Sequence, residues 1–343
     1  MPCQENNMSG SISGYSAPKV SVIMPVYNTE LYVERAIISL MEQTLDDVQF
    51  IIIDDGSNDN SLSIIKEVIT RYPIRKDQIT LISRENRGVA ATRAQGMELA
   101  TGDYVIHLDS DDWAERNWLE EMYTKAIHEN ADMVVCDYSM IYKSKQVPVN
   151  MPPAGTGEEC LKQLLCDKQR GYTWNKLVSR EIINKVSVPF VVDINYLEDL
   201  IYIAKCFLFS RKISYVPLSL YCYNQENVIS ITKLISESKK QDIKAAVSYM
   251  EDFILKHNGS DSLYNEVLTF KILQKTFLIY GEWEGVNKST WQVFPETNTH
   301  ILASKVAPHF KISMMIANLK LYRLASFLMK LMVQLKLIIS SQN

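Results

Sequence analysis

Three short acidic runs in this 343-residue chain each adjoin an apolar stretch. Asp54-Asp55-Gly56-Ser57 follows Phe50-Ile51-Ile52-Ile53, Asp109-Ser110-Asp111-Asp112 follows Tyr104-Val105-Ile106-His107-Leu108, and Glu198-Asp199 opens the run beginning at Leu200. Like charges gathered on one rim are costly unless a cation compensates them, and oxygen-only ligands select a hard divalent ion such as Mg2+ or Mn2+. An Asp-x-Asp pair on one loop supplies one or two ligands and leaves coordination positions that phosphate oxygens can fill. Asp109 and Asp111 therefore suggest a metal-bridged diphosphate. Plainer readings stand beside this one. Asp-Asp-Gly-Ser-Asn-Asp is also turn and helix-cap chemistry, and acids at the start of an apolar helix favour its N-terminal dipole. An EF-hand loop starting at Asp109 fails, because Trp113 and Ala114 stand where a ligand and a glycine are needed. The absence of G-x-G-x-x-G, G-x-x-x-x-G-K-[ST] and H-E-x-x-H disfavours dinucleotide enzymes, P-loop NTPases and zincins.

Positioning these acids falls to a strand–helix rhythm. Apolar runs at 19–26, 50–53, 79–82 and 104–108 alternate with helical spacing at 30–43, 61–72 and 89–100. Such alternation predicts βαβ units and a mainly parallel sheet covered on both faces, with ligands at the carboxyl ends of the strands. A helix over 118–130 and a strand over 133–136 follow. Residues 143–157 hold three prolines and two glycines and read as a loop or flap at an internal boundary. Helices are expected over 158–165, 197–209 and 236–256, a strand over 212–216, and a mainly helical remainder.

Composition narrows the class. Apolar residues make up 47% and charged residues 22%, ordinary globular values that exclude wholesale disorder. The net charge of −4 offers no broad grip on nucleic acid. Six cysteines without a C-x-x-C pair read as reduced core thiols of a cytoplasmic protein. Residues 1–18 are polar, read as a flexible leader, and lack the apolar segment of a secretory signal. Residues 297–343 contain six lysines and arginines but no Asp or Glu. Over 311–339, Lys320, Arg323, Ser326, Lys330 and Gln334 fall on one narrow helical side with apolar residues around most of the rest. That pattern fits an interfacial helix on an anionic membrane; a helix packed on the catalytic domain or on a second subunit is the rival reading.

In order, VSVIMPVYN, FIIIDDGSNDNS, NRGVAATRAQG, GDYVIHLDSDD, WNKL and LEDL resemble family 2 of the glycosyltransferases, over roughly residues 18 to 235. The resemblance implies a GT-A fold, Rossmann-like, with a helical region from 236 to 343 attached to a catalytic domain over 19–235. Within that domain it implies a nucleotide-binding half, 19–140, and an acceptor half, 141–235. Pro25, Val26 and Tyr27 would line the nucleoside pocket, Asp55 would accept from a uracil-type base with Asp54 as its neighbour, and Arg93 would face the donor phosphates. Asp109 and Asp111 match the D-x-D motif, Asp111 as metal ligand and Asp109 also near the ribose. Asp199 would be the general base, with Glu198 orienting the acceptor. Trp174, Asn175 and Lys176 would lie toward the acceptor side. Two departures stand out: Ala94 replaces the Asn usual after Arg93, and Asn224 stands where a basic residue is expected.

The implied activity is metal-dependent, inverting transfer of a sugar from a nucleoside diphosphate donor, UDP-linked, to a hydroxyl of a glycan or lipid-linked saccharide. Cell-surface polysaccharide assembly at the inner face of the membrane is the expected setting, and the oligomeric state stays open. A phosphatase or phosphotransferase using Asp109 and Asp111 is the first rival, although that chemistry wants D-x-D-x-T and the fifth residue is Trp113. A non-catalytic nucleotide-sugar-binding module is the second.

Overall fold

A computed structural model describes residues 17–227, 236–258, 263–281, 288–304, 306 and 308–341. The leader up to residue 16 and the Ser230-Ile231-Thr232 segment lie outside the described residues.

Four parallel strands carry the first half: β1 (Val20–Val26), β2 (Val48–Asp54), β3 (Ile79–Ser83) and β4 (Tyr104–His107), in the order β3-β2-β1-β4. Val20, Val22, Ile23 and Met24 of β1 and Phe50 to Ile53 of β2 are fully buried, which is why these strands read as unbroken apolar runs. Helices α1 (Val33–Met41), α2 (Ser61–Thr70) and α3 (Val89–Leu99) connect them. Val33, Ala36, Ile37 and Leu40 of α1 share one helical face and bury it against the sheet.

Beyond β4 the sheet becomes mixed. The two-residue β5 (Trp113–Ala114) and helix α4 (Trp118–Glu129) lead to β6 (Met133–Tyr142), which turns back as β7 (Lys145–Val149). This hairpin occupies part of the stretch expected to be a flap. Pro148 is tolerated because β7 is an edge strand with no partner on its other side to receive the missing N–H. Helix α5 (Gly157–Leu165) is closed by a Thr156/Glu159 capping box. Strand β8 (Lys176–Ser179) and helix α6 (Arg180–Val186) follow, then α7 (Glu198–Phe209) and β9 (Ile213–Asn224). Strand β8 lies antiparallel between β4 and β6, while β9 runs parallel to β6 with a bulge that passes over Pro217. One hydrogen-bonded sheet thus runs β3-β2-β1-β4-β8-β6-β9-β5 beneath both halves.

One buried cluster joins α1, α2 and α4 to one sheet face. Another joins α3 and α5 to α7 with α8 (Glu237–Asn258) and α9 (Tyr264–Gly281) on the opposite face. After α10 (Lys288–Trp291), a third cluster gathers Ile272, Trp291, Ile301, Met314, Ala325 and Met329. Here the expected single tail helix is a hairpin of α11 (Pro308–Asn318) and α12 (Tyr322–Ser341), turned at Lys320 with φ 61°. Ser313 Oγ donates to the Ala325 carbonyl at 2.6 Å, so the two helices touch. Ala325 and Met329 face inward while Leu324, Phe327 and Leu331 face solvent beside Arg323 and Lys330. No helix among the described residues is long and apolar enough to cross a membrane. The five described cysteines are buried and free, and burial pushes the Cys136 thiol up to about 12.

Candidate active site

The loops after β1 and β2 interlock at the carboxyl rim. Thr29 N donates to Ser61 Oγ at 2.9 Å, Glu30 N donates to Asp59 at 3.0 Å, and Asp55 N extends the strand pairing by donating to the Val26 carbonyl at 2.8 Å. Asp54 is buried and accepts from Ser83 Oγ at 2.8 Å. Asp55, also buried, accepts from Arg87 N at 3.0 Å, Gly88 N at 2.8 Å and the Arg84 guanidinium at 2.7 Å. Its carboxylate therefore caps the start of α3, with three of its about four acceptor positions taken. Asn195 completes that cap by accepting from Ala90 N at 3.2 Å. Only glycine fits at 88: its φ is +85°, and an added Cβ would stand 2.3 Å from Asn195 Oδ1. Val26 is buried and Pro25 half-buried, so of the three expected pocket residues Tyr27, 47% exposed, offers the open ring.

The Asp109–Asp112 loop is held from β9. Tyr221 donates to Asp112 Oδ2 at 2.8 Å and accepts from Asp109 N at 3.1 Å. Asn224 N donates to Asp112 Oδ1 at 2.7 Å, and its amide donates to the Asp111 carbonyl at 3.0 Å. Asn227 Nδ2 donates to Asp111 Oδ2 at 2.8 Å. Asp112 is thus a tie between loop and sheet, while Asp109 and Asp111 keep partly open carboxylates. Burial and the neighbouring Asp109 charge raise Asp111, and burial with both neighbours raises Asp112 well above the carboxylate range. This mutual repulsion is what a divalent cation would relieve, and the oxygen-only donors of Asp109 and Asp111 suit Mg2+ or Mn2+. No group of three metal-ligating side chains gathers among the described residues, so two carboxylates are a partial set that a diphosphate and water would complete.

Arg93 connects this loop to the second acid site. Nη2 donates to Asp109 Oδ1 at 2.7 Å and Nη1 donates to Glu198 Oε1 at 2.6 Å. Glu198 and Asp199 open α7 behind Leu197, whose left-handed φ of 70° turns the chain sharply into the helix. Asp199 accepts from its own neighbour Leu200 N at 2.7 Å and is half-buried, so its carboxylate retains free lone pairs. Burial raises both carboxyls and Arg93 opposes the rise.

The three residues expected toward the acceptor are interior. Trp174 is stacked between Tyr172 at 4.6 Å and Tyr221 at 4.2 Å, with both faces covered, so it has no face for a sugar and instead backs Tyr221. Asn175 donates to the Cys136 carbonyl at 3.1 Å. Lys176 Nζ donates to the Tyr172 carbonyl at 2.9 Å and to Asn175 Oδ1 at 2.7 Å, and burial pulls its amine down to about 7. His107 is buried against Phe190 and Tyr202 with neither ring nitrogen bonded, and burial holds it neutral. It is a packed neighbour of the site.

Sequence reasoning missed Tyr221, Asp112, Asn224 and Asn227 as holders of the Asp109–Asp112 loop. A late Tyr-x-Tyr-Asn strand end was visible, but its partners lie more than a hundred residues upstream.

The family model described as Glycosyl transferase family 2 matches residues 21–187. EpsH of Bacillus subtilis (strain 168) is 31% identical over 277 residues, covering 78% of each chain. The cholesterol galactosyltransferase of Borreliella burgdorferi is 33% identical over 266 residues, covering 72% of this chain and 70% of its own. S. aureus TarS 1-349 in complex with UDP-GlcNAc shares the fold, with a TM-score of 0.63 at 16% identity over 92% of both chains. Strand order, ordered motifs and relatives matched over 70% and 78% of their lengths agree: this chain belongs to glycosyltransferase family 2 and is a glycosyltransferase with the GT-A fold.

Proposed function

We propose that the chain moves a sugar, with inversion, from a UDP-linked donor to a hydroxyl of a glycan or lipid-linked saccharide in cell-surface polysaccharide assembly. The observation that carries this reading is the meeting of Asp109 and Glu198, the residue before Asp199, at one guanidinium, which sets a leaving-group side against a base side. Asp199 takes the acceptor hydroxyl proton at its carboxylate, and Glu198 orients the acceptor. Asp109 and Asp111 would hold Mn2+ or Mg2+, which when bound neutralises the departing diphosphate. Tyr27, with Pro25 and Val26 behind it, flanks the nucleoside, and Asp54 and Asp55 shape that pocket from within. A single displacement uses one base and no enzyme nucleophile. Residues 19–140 form the donor half and 141–235 the acceptor half. The UDP-GlcNAc bound to TarS supports the choice of donor. The relative named cholesterol galactosyltransferase supports a hydroxyl acceptor of lipid character.

Binding of UDP, GDP, CDP and dTDP to the full chain, measured calorimetrically with Mn2+ and then with EDTA, tests the donor. Binding of UDP that EDTA abolishes is expected. If all four fail on folded protein, the reading falls.

Association with the cytoplasmic face of the membrane belongs to the same proposal. Phe327, 62% exposed, stands between Leu324 and Leu331 on one side and Arg323 and Lys330 on the other, in a segment free of acids. Apolar and cationic groups side by side suit an anionic bilayer. Phe327→Glu should lose co-sedimentation with phosphatidylglycerol vesicles that the wild type shows; equal behaviour of the two rejects membrane docking.

A further inference from the structure

Arg93 matches the position expected to face donor phosphates, yet its guanidinium is already committed. It is 5% exposed, each terminal nitrogen meets a different carboxylate, and Nε is buried without a partner. The two carboxylates sit on separate elements: Asp109 on the loop after β4, Glu198 at the first turn of α7. Helix α3 fixes the depth of the guanidinium. One turn after Arg93, Gly96 lies flush on β1, where an added Cβ would come within 2.4 Å of Ile23 Cγ2. The planar fork therefore has a set origin and two set ends. A lysine, as a point charge on a flexible stem, cannot hold two carboxylates in one plane.

We propose that Arg93 is a positioning residue, a strut that sets the spacing between the Asp109–Asp111 loop and the Asp199 carboxylate, and that it does not grip the donor phosphates. The inference rests on the reading of Asp199 as base. With the strut in place, the proton acceptor and the leaving-group side keep one alignment through the reaction. Without it, donor and acceptor still bind, but the near-attack geometry is sampled rarely, so the loss falls on kcat. Glu198 acts through the same link: its bond to Arg93 holds the first turn of α7 and, with it, the side from which Glu198 orients the acceptor.

The test is Arg93→Gln, Arg93→Lys, Glu198→Gln and the double variant Arg93→Gln/Glu198→Gln in the full chain, read by UDP affinity with Mn2+ and by kcat and KM. Arg93→Gln should lower kcat by about 100-fold while UDP affinity stays within about threefold of wild type. Arg93→Lys should not restore kcat. The double variant should be scarcely worse than either single one, because both remove one link. If Arg93→Gln weakens UDP by more than about tenfold while uridine binds unchanged, Arg93 is a phosphate ligand and the strut is wrong. Additive losses in the double variant also overturn it. Should Arg93→Gln fail to fold, Arg93→Lys and Glu198→Gln carry the same comparison. These failures leave wild-type UDP binding intact, whereas failure of the donor reading removes it.

Discussion

Tyr221 and Asp112 form a latch between β9 and the Asp109–Asp112 loop: the phenol donates to Asp112 at 2.8 Å while accepting the Asp109 N–H at 3.1 Å. Tyr221→Phe removes both bonds and keeps the ring that stacks on Trp174. It should cost about 1–3 kcal/mol of stability, the expense of leaving buried polar groups short of partners. Metal-dependent UDP affinity should fall about tenfold as the Asp109 backbone loosens. Urea unfolding and calorimetry check the two effects, and wild-type affinity in the variant would show that the loop holds its shape without the phenol.

Asp111 and Asp199 should fail differently. Asp111→Asn removes a charged metal ligand and should abolish metal-dependent UDP binding. Asp199→Asn should leave UDP binding nearly intact and reduce transfer by about a thousandfold or more, as expected for loss of a general base. Comparable UDP affinity in the two variants refutes this division.

The pH dependence of turnover should carry the mark of burial. A base works only when ionised, and burial lifts the Asp199 carboxyl above its ordinary range. As pH falls, protonation therefore stops catalysis earlier than it would for an exposed aspartate near about 4. A kcat profile at saturating donor and acceptor should show its acid limb above that value. A limb at the ordinary position would argue that the proton goes elsewhere.

Lys176 gives a stability prediction with a definite sign. Its folded-state amine titrates near 7, against the usual value of 10.5. Between those values the unfolded chain holds a proton that the folded chain lacks, so this group makes stability rise with pH. Relative to Lys176→Met, the wild type should gain about 2 kcal/mol between about pH 7 and 9. Urea midpoints at the two pH values measure it, and a constant difference would mean that the amine stays charged inside.

Strands β1, β2 and β4 were legible because burial on both faces keeps them mainly apolar, as in Ile51-Ile52-Ile53, and the half-buried edge strand β3 by its short run Ile79-Thr80-Leu81-Ile82. Strand β8 was not, since four residues starting at Lys176 carry no periodicity. Only the first part of β9 was recognised, because Pro217 breaks the pattern where the bulge passes over it. Strand β7 was hidden by prolines that an edge strand tolerates. At the site, acids announce themselves by charge, and their clustering was readable. What each carboxylate meets was not: Arg93 reaches Glu198 across 105 residues, and nothing near Trp174 in sequence reveals that Tyr221 covers its other face.

Because β8 bridges β4 and β6, one continuous sheet runs from the β1–β4 strands to β6 and β9. Opening this enzyme by swinging one half from the other would break a ladder of backbone hydrogen bonds. Substrate entry and nucleotide exit are then expected to fall to the rim loops, with the sheet beneath them as a common bed; the rate at which those loops rearrange would bear on turnover.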